Sequence, residues 1–543
     1  MDRRIGILFV VFLGLLGIAL ARATYLGSVR AGSLERAAAT QQVSNVTEPA
    51  PRGAITDRNG NELAVSQTAD DVIADPYLIK NAVSASAVLS PTLGIPQLTL
   101  IKLLTRPHTG YVPLAHRIGS AEAATVVKLN IAGINLVPEM RRVYPLGGEA
   151  AQVVGSVHSD GDGASGIEYR YNSALNGTNG LRRIVSDAIG QPISIDDLRA
   201  TDPGKTVALT IDSGLQQQVE RVLTQVGTEY SPKSATAIAV DPGDGAILAL
   251  ANWRAPGSTS AAGPDDLAIG LNYEPGSTFK AITVAGALQD GLVTPDTEFD
   301  IPPVLQFADR QIHDAENHGY EMLSVKNILK FSSNIGADLI GRKLGAQRFD
   351  YWVRRFGFGA KTGVDLPGEQ SGIVLHWWQY SGSSMANLPF GQGESVTPMQ
   401  MVAAYAAIAN GGVLHSPHIV QSIGGRDLRT PAGHRVISPP VASQLRDMLR
   451  GVLADGGTAS GAAIPGYDLS GKTGTANIAI NGHYSDSAYV ASFIGFVPAS
   501  HPRLLVAVVV DQPHGSIYGG SVAAPAFQKI VGWAVPYFGV DPR

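Results

Sequence analysis

The sequence predicts an α+β protein, an antiparallel sheet assembled from two distant stretches of chain and covered by helices, carried on one N-terminal apolar helix. Three observations predict it. Ala235 to Val240 and Ile247 to Ala251 are apolar runs joined by Asp241-Pro242-Gly243-Asp244-Gly245, turn-forming residues throughout, so they read as a hairpin. Tyr489 to Val497 and Leu504 to Val510 form a second hairpin around Pro498 to Arg503. Between the two the apolar spacing is mainly helical, and strands at both ends of a helical stretch point to a single sheet closed by those ends.

Taken from the N-terminus, Ile5 to Ala21 carries no charge and is bracketed by Arg3 and Arg4 before it and Arg22 after it. As a helix this run is roughly 25 Å long, a little under the ~30 Å hydrocarbon core of a bilayer. Arg22 can snorkel and Tyr25 can anchor at the interface. The two arginines favour a cytoplasmic tail, 1–4, and a transmembrane helix, 5–21, with everything beyond Arg22 outside the cytoplasm. Ala21-Arg22-Ala23 also resembles a small-x-small cleavage site, so a removed signal peptide is the rival expectation. Residues 22–51 are polar and rich in Ala, Gln and Thr, and read as a stalk. Residues 52–202 open with Arg52 to Ala64, where Asn59-Gly60 links two short apolar runs as a hairpin. The mixed short elements that follow concentrate no catalytic residue types and read as a pedestal. A further domain, 203–543, opens on the alternating strand Val207 to Ile211 and the helical spacing of Ser213 to Val226.

Composition narrows the chemistry. A chain of 543 residues is too long for one ordinary core, and 44% apolar with 16% charged residues suits globular folding. A net charge of −5 gives no basic footprint, so nucleic acid is not an expected partner. There is no cysteine, which excludes disulfides, zinc-thiolate sites and a cysteine nucleophile. The 12 histidines include no HExxH, and neither a metal nor a cofactor is expected.

Three short patterns carry the chemistry. Pro275-Gly276-Ser277-Thr278-Phe279-Lys280 opens a helix expected to run to Gln289, with Gly291 to stop it. Phe279, Ile282, Val284, Ala285 and Leu288 make that helix apolar nearly all round, hence buried. Ser277 then stands at a helix N-terminus, where free N–H groups favour developing negative charge. Lys280, three positions on, shares its face, and a desolvated lysine loses its proton and can act as a base. Ser-x-x-Lys alone is also what an N-cap serine beside a surface lysine looks like. Ser332-Ser333-Asn334 falls between the helical runs Val325–Lys330 and Ile335–Leu344, and by itself reads as a helix cap. Ser332 can relay a proton, and Asn334 offers an amide donor and acceptor. Lys472-Thr473-Gly474-Thr475 precedes the C-terminal hairpin, and a strand bearing lysine and two threonines can bind a carboxylate, with Gly474 letting a substrate backbone lie close. A second Lys-Thr-Gly, Lys361 to Gly363, runs into Asp365-Leu366-Pro367-Gly368 and reads as a turn.

Ser-x-x-Lys, Ser-x-Asn and Lys-Thr-Gly, in that order on helix, loop and strand, resemble the signature of the penicillin-binding proteins and class A β-lactamases. The resemblance to class B penicillin-binding proteins covers nearly the whole chain. Arg52 to Ala64 and Gly166-Ile167-Glu168-Tyr169-Arg170-Tyr171 with Leu175-Asn176-Gly177 are similar to the two ends of that family's pedestal. Phe390-Gly391-Gln392-Gly393, Val396-Thr397-Pro398 and Gly457-Thr458-Ala459 also recur there. The resemblance implies a transpeptidase domain with helices on both faces of its sheet. It implies an acyl-enzyme on Ser277, with Lys280 as base, Ser332 and Lys472 as proton relay, and Asn334 orienting a D-alanyl-D-alanine stem peptide. By the same resemblance Lys472, Thr473 and Thr475 hold its carboxylate, beside Gly474. The N–H groups of Ser277 and Thr475 form the oxyanion hole, and β-lactams acylate the enzyme. A β-lactamase, a D,D-carboxypeptidase and a β-lactam sensor remain as alternatives, although no Glu-x-x-Leu-Asn follows Asn334 and almost no cytoplasmic sequence is available to signal. Tyr518 to Pro525 and the compact pedestal look more like the division type, whose membrane partners include a SEDS-family glycan polymerase and other divisome proteins.

Overall fold

The computed structural model describes residues 2–30, 32, 43–186, 192–257, 266–308, 310–430, 432–480 and 482–542. Part of the expected stalk, at 31 and 33–42, and Met1 of the expected tail lie outside the described residues. The N-terminal helix runs Asp2–Thr24 and continues as a wider turn, Tyr25–Val29. Its apolar stretch, Ile5–Ser28, is 24 residues long with mean hydropathy 2.5 and is wholly unburied by the rest of the chain. The span is therefore longer than the run ending at Ala21, because Arg22 interrupts the apolar sequence without ending the helix. Its α-helical part, Ile5–Thr24, reaches about 30 Å at 1.5 Å per residue, the thickness of a hydrocarbon core.

The chain forms two compact units. The first comprises 1–53, 66–142 and 176–204. Val43–Glu48, Gly180–Ser186 and Pro192–Arg199 make an antiparallel sheet within it. Its apolar core joins Val72 and Ala74 to Leu89, Leu100 and Leu104 of two short helices and to Val112, Leu114 and Val126.

The second unit comprises 54–65, 143–175 and 205–543. Two stretches of the expected pedestal therefore belong to it, for an apolar reason. Ile55, Leu63, Ala64, Val153, Val154, Ile167 and Leu175 are buried in one cluster with Val207, Leu209 and the helices around Phe279. The centre of the unit is a five-stranded antiparallel sheet of β1 (Ser234–Val240), β2 (Ile247–Arg254), β3 (Ser470–Ile480), β4 (His483–Val497) and β5 (Leu504–Asp511), in the order β2-β1-β5-β4-β3. Alternation along the strands sorts their side chains between two cores. Val506, Val508 and Val510 face the helices Ser213–Tyr230 and Gly519–Tyr537. Leu505, Ala507 and Val509 face the helical insert. Both expected hairpins are present, and the second is longer at its start because β4 begins at His483 rather than Tyr489. The extra length pairs with β3, which leaves β3 as an edge strand.

Candidate active site

The site forms where a tight turn is pressed against the free edge of β3. Residues Gly276–Phe279 make one turn of 3-10 helix that passes directly into the α-helix Lys280–Gln289. Ser277 thus sits one turn ahead of the α-helix rather than in its first turn, and its N–H precedes the first intrahelical acceptor. Gly276 adopts φ +54, and a Cβ there would stand 3.0 Å from the carbonyl oxygen of Thr475. Only glycine suits both the left-handed backbone and that approach.

Lys280 is fully buried, on a helix whose residues 280–288 are all buried. Its Nζ lies 3.0 Å from Ser277 Oγ, 3.2 Å from Ser332 Oγ and 2.8 Å from Asn334 Oδ1, and it also donates to the Ser332 carbonyl. Burial pulls its ammonium down to about 7, against the opposing pull of the Asp314 carboxylate. Lys472 is equally buried, and its Nζ lies 2.9 Å from Ser332 Oγ. Burial, and then the charge of Lys280, holds Lys472 well below the usual lysine range. Two ammonium groups sharing one hydroxyl repel each other, so the pair favours states carrying fewer than two charges.

Ser332-Ser333-Asn334 satisfies both readings of the triplet. Ser333 is the cap: its Oγ accepts the Gly336 N–H at 2.9 Å and donates to Asp314 Oδ2 at 2.7 Å. Ser332, at φ +64, closes the helix Val325–Phe331 in the left-handed region, and its flanking geometry brings its Oγ between the two lysines. Such a conformation in a non-glycine residue costs on the order of 1–2 kcal/mol, and strain of this kind gathers at functional sites. Asn334 begins the helix Asn334–Leu344, with its Nδ2 donating to the His313 carbonyl at 2.9 Å.

On β3, Thr473 Oγ1 is 2.8 Å from Thr458 Oγ1 and 3.3 Å from Lys472 Nζ. Thr475 Oγ1 accepts the Gly519 N–H at 3.1 Å, so its hydroxyl proton can turn outward. Gly474 has a packing reason of its own. A Cβ there would meet Ser492 Oγ at 2.3 Å and the Pro275 carbonyl oxygen at 3.0 Å, which would part the strand from the Ser277 turn. The second Lys-Thr-Gly stands elsewhere: Lys361 is exposed, and the Glu369 carboxylate accepts from Thr362 and from the Gly363 N–H in an irregular turn.

Sequence reasoning missed Asp314, whose carboxylate accepts the Asn334 and Ile335 N–H groups as well as the Ser333 hydroxyl. An acidic residue in a loop has no spacing to reveal it. It also missed Glu274, which accepts from Gly393 N–H and Tyr484 Oη and so ties the Ser277 turn to β4.

Residues 235–532 match the family model described as the penicillin-binding protein transpeptidase domain, and 47–209 match the penicillin-binding protein dimerisation domain. The chain is 32% identical to stage V sporulation protein D of Bacillus subtilis, over 99% of this chain and 86% of that protein. It is 32% identical to the peptidoglycan D,D-transpeptidase FtsI of Escherichia coli, over 93% and 86% of the two chains. Among solved structures it is similar to penicillin-binding protein 3 from Mycobacterium tuberculosis complexed with aztreonam. That match has a TM-score of 0.71 and 29% identity, covering 92% of this chain and 98% of that one.

Proposed function

The chain belongs to the penicillin-binding proteins, as a class B member with a dimerisation and a transpeptidase domain, and on that premise we propose that it cross-links peptidoglycan stem peptides through an acyl-enzyme on Ser277. One observation carries this reading: Ser277 Oγ, Lys280 Nζ, Ser332 Oγ and Lys472 Nζ form an unbroken run of contacts of 3.0, 3.2 and 2.9 Å.

In this mechanism neutral Lys280 takes the Ser277 proton as Oγ attacks the carbonyl carbon between the two terminal D-alanines. The N–H groups of Ser277 and Thr475 hold the oxyanion, each worth about 3–4 kcal/mol by analogy with other hydrolases. Collapse breaks the C–N bond: the departing D-alanine amine takes the Ser332 proton, Lys280 returns to Ser332 the proton it took from Ser277, and Lys472 assists the relay through its contact with Ser332. Lys472, Thr473 and the outward hydroxyl of Thr475 hold the terminal carboxylate. Asn334 orients Lys280 through Oδ1, and its amide reaches the donor peptide by exchanging its bond to His313. An amine of a neighbouring stem peptide then attacks the ester, forms the cross-link and returns Ser277. A β-lactam presents the same amide in a ring, so its leaving group stays tethered and the acyl-enzyme persists.

We assign the division role from the resemblance of Tyr518 to Pro525 and the compact pedestal to the division type, and with it a SEDS-family glycan polymerase and divisome membrane proteins as partners of the anchor and pedestal. Arg3 and Arg4 support an N-terminus in the cytoplasm and a catalytic domain outside it. A fluorescent penicillin should label the protein covalently, and Ser277→Ala should abolish the label while the protein stays folded. Label surviving in that variant would assign the acyl group to another residue. A fluorescent fusion should accumulate at the septum, and even distribution along the cell wall would remove the division role.

A further inference from the structure

Behind the nucleophile turn lies a carboxyl group that the acylation chemistry leaves unused. Glu394 is 3% exposed, and neither of its carboxylate oxygens has a hydrogen-bond partner among the described residues. It belongs to the loop 391–396, which is bonded along its length to the segment carrying Ser277. Gly276 N–H donates to the Gly391 carbonyl at 2.9 Å, and Gly393 N–H donates to Glu274 Oε1 at 3.1 Å. Tyr273 and Val396 exchange backbone bonds of 3.0 and 2.8 Å. On the other side Ser395 pairs with Ile373.

The charged groups facing Glu394 are Glu274 from the nucleophile segment and Asp350 and Arg354 from the helix Ala346–Arg355. The phenol of Tyr380 faces it as well. Beside them lie Tyr484, which donates to Glu274, and the buried hydroxyl of Tyr273, without a partner among the described residues. Tyr405 lies beyond Tyr273. Arg354 is the cation in this set, and it is committed: Nε donates to Asp350 Oδ1 at 2.7 Å and Nη2 to the carbonyls of Val374 and Leu375. An ionised Glu394 would be a buried charge without a partner, facing two further carboxylates, which is strongly destabilising. Burial, followed by Glu274 and Asp350, holds its carboxyl well above the ordinary 4.5.

We propose that Glu394 is a positioning residue for acylation: as a neutral carboxylic acid it keeps the 391–396 loop seated against the Tyr273–Ser277 segment, and its ionisation unseats the loop and slows attack by Ser277. This rests on Ser277 being the acylated residue. The folded protein retains a proton on Glu394 that the unfolded chain has lost, so folding is progressively disfavoured as pH rises from the ordinary value toward the folded one. Glu394→Gln preserves the shape of the neutral acid and cannot ionise. It should melt like wild type near pH 4 and progressively higher than wild type as pH is raised. The second-order rate of acylation by a fluorescent penicillin should agree between the two wherever Glu394 remains protonated. As Glu394 loses its proton on raising the pH, the wild-type rate should fall progressively below that of the variant.

Glu394→Leu, equally unable to ionise, should share the flattened alkaline profile, and it keeps the test alive if the amide fails to fold. Wild type and variants with parallel acylation profiles would overturn the positioning role, even with a shift in melting. Parallel melting curves at every pH would overturn the neutral acid. Absence of any label on wild-type Ser277 would instead overturn the reading of the nucleophile, and the melting comparison would still report on Glu394.

Discussion

Lys280 owes its chemistry to three neighbours that its motif does not contain. Burial removes the proton affinity of its amine, Asp314 restores part of it, and Asn334 and Ser332 fix where Nζ points. The three patterns that the structure brings together were legible in the sequence because each is a fixed spacing on one local element. Asp314 was not, because its contacts to Ser333, Asn334 and Ile335 arise only when a loop folds back on a helix end. With a folded-state value of about 7, the neutral, basic form of Lys280 increases as pH rises through neutrality. The acylation rate should therefore climb with pH around 7. In a rapid-mixing assay Lys280→Met should lower that rate by about 10²–10⁴-fold and remove the acid limb. The same shift has a sign for stability. The unfolded chain holds the lysine proton up to about 10.5, so the shift destabilises the fold fully below about 7 and progressively less as pH rises beyond it. Lys280→Met should accordingly melt higher than wild type at neutral pH, and a lower melting point there would contradict the buried neutral amine.

At the scale of elements, the two hairpins of the sheet were readable from turn residues and apolar runs, and the buried helix Lys280–Gln289 from an apolar sequence on every face. Two features escaped. The start of β4 at His483 is not an apolar run, and its register is set by pairing with β3 across Asn477–Tyr489 and Ala479–Tyr484. Gly474 was read as room for a substrate, and its missing side chain is also required by Ser492 and Pro275, which no spacing in the sequence shows. The choice between the two Lys-Thr-Gly triplets is also an element-scale question. Lys472 is fully buried on an edge strand and touches Ser332, while Lys361 is exposed at a turn closed by Glu369. Lys472→Ala should strongly slow acylation by penicillin. Lys361→Ala should leave it nearly unchanged and shift stability by less than about 0.5 kcal/mol. Stopped-flow acylation rates and melting curves of the two variants check both halves, and the reverse pattern would move the carboxylate site to the turn.

For the whole molecule, the two compact units do not follow the chain in order, and a chain that leaves a unit and returns gives no compositional signal. Residues 54–65 and 143–175 are separated from Val207 in sequence, yet Ile55, Val153 and Ile167 share its core. The N-terminal helix was readable as an apolar run, and the apolar stretch continues past Arg22 to Ser28. The longer stretch, Ile5–Ser28, changes what a cell should do with it. A signal peptide's apolar region is commonly about 7–15 residues, followed by small residues where the peptidase cuts. Here a helix long enough to span continues through Ala21-Arg22-Ala23, so the small-x-small sequence lies inside regular structure. A protease needs an extended strand at the membrane surface, and unwinding a helix within its apolar span exposes backbone groups to lipid at several kcal/mol each. Retention as an anchor is therefore the expected outcome. The protein should remain with membranes after a high-salt wash, be released by detergent, and begin with uncleaved sequence on N-terminal analysis. A mature chain beginning near Thr24 in a soluble exported fraction would show that the helix is removed.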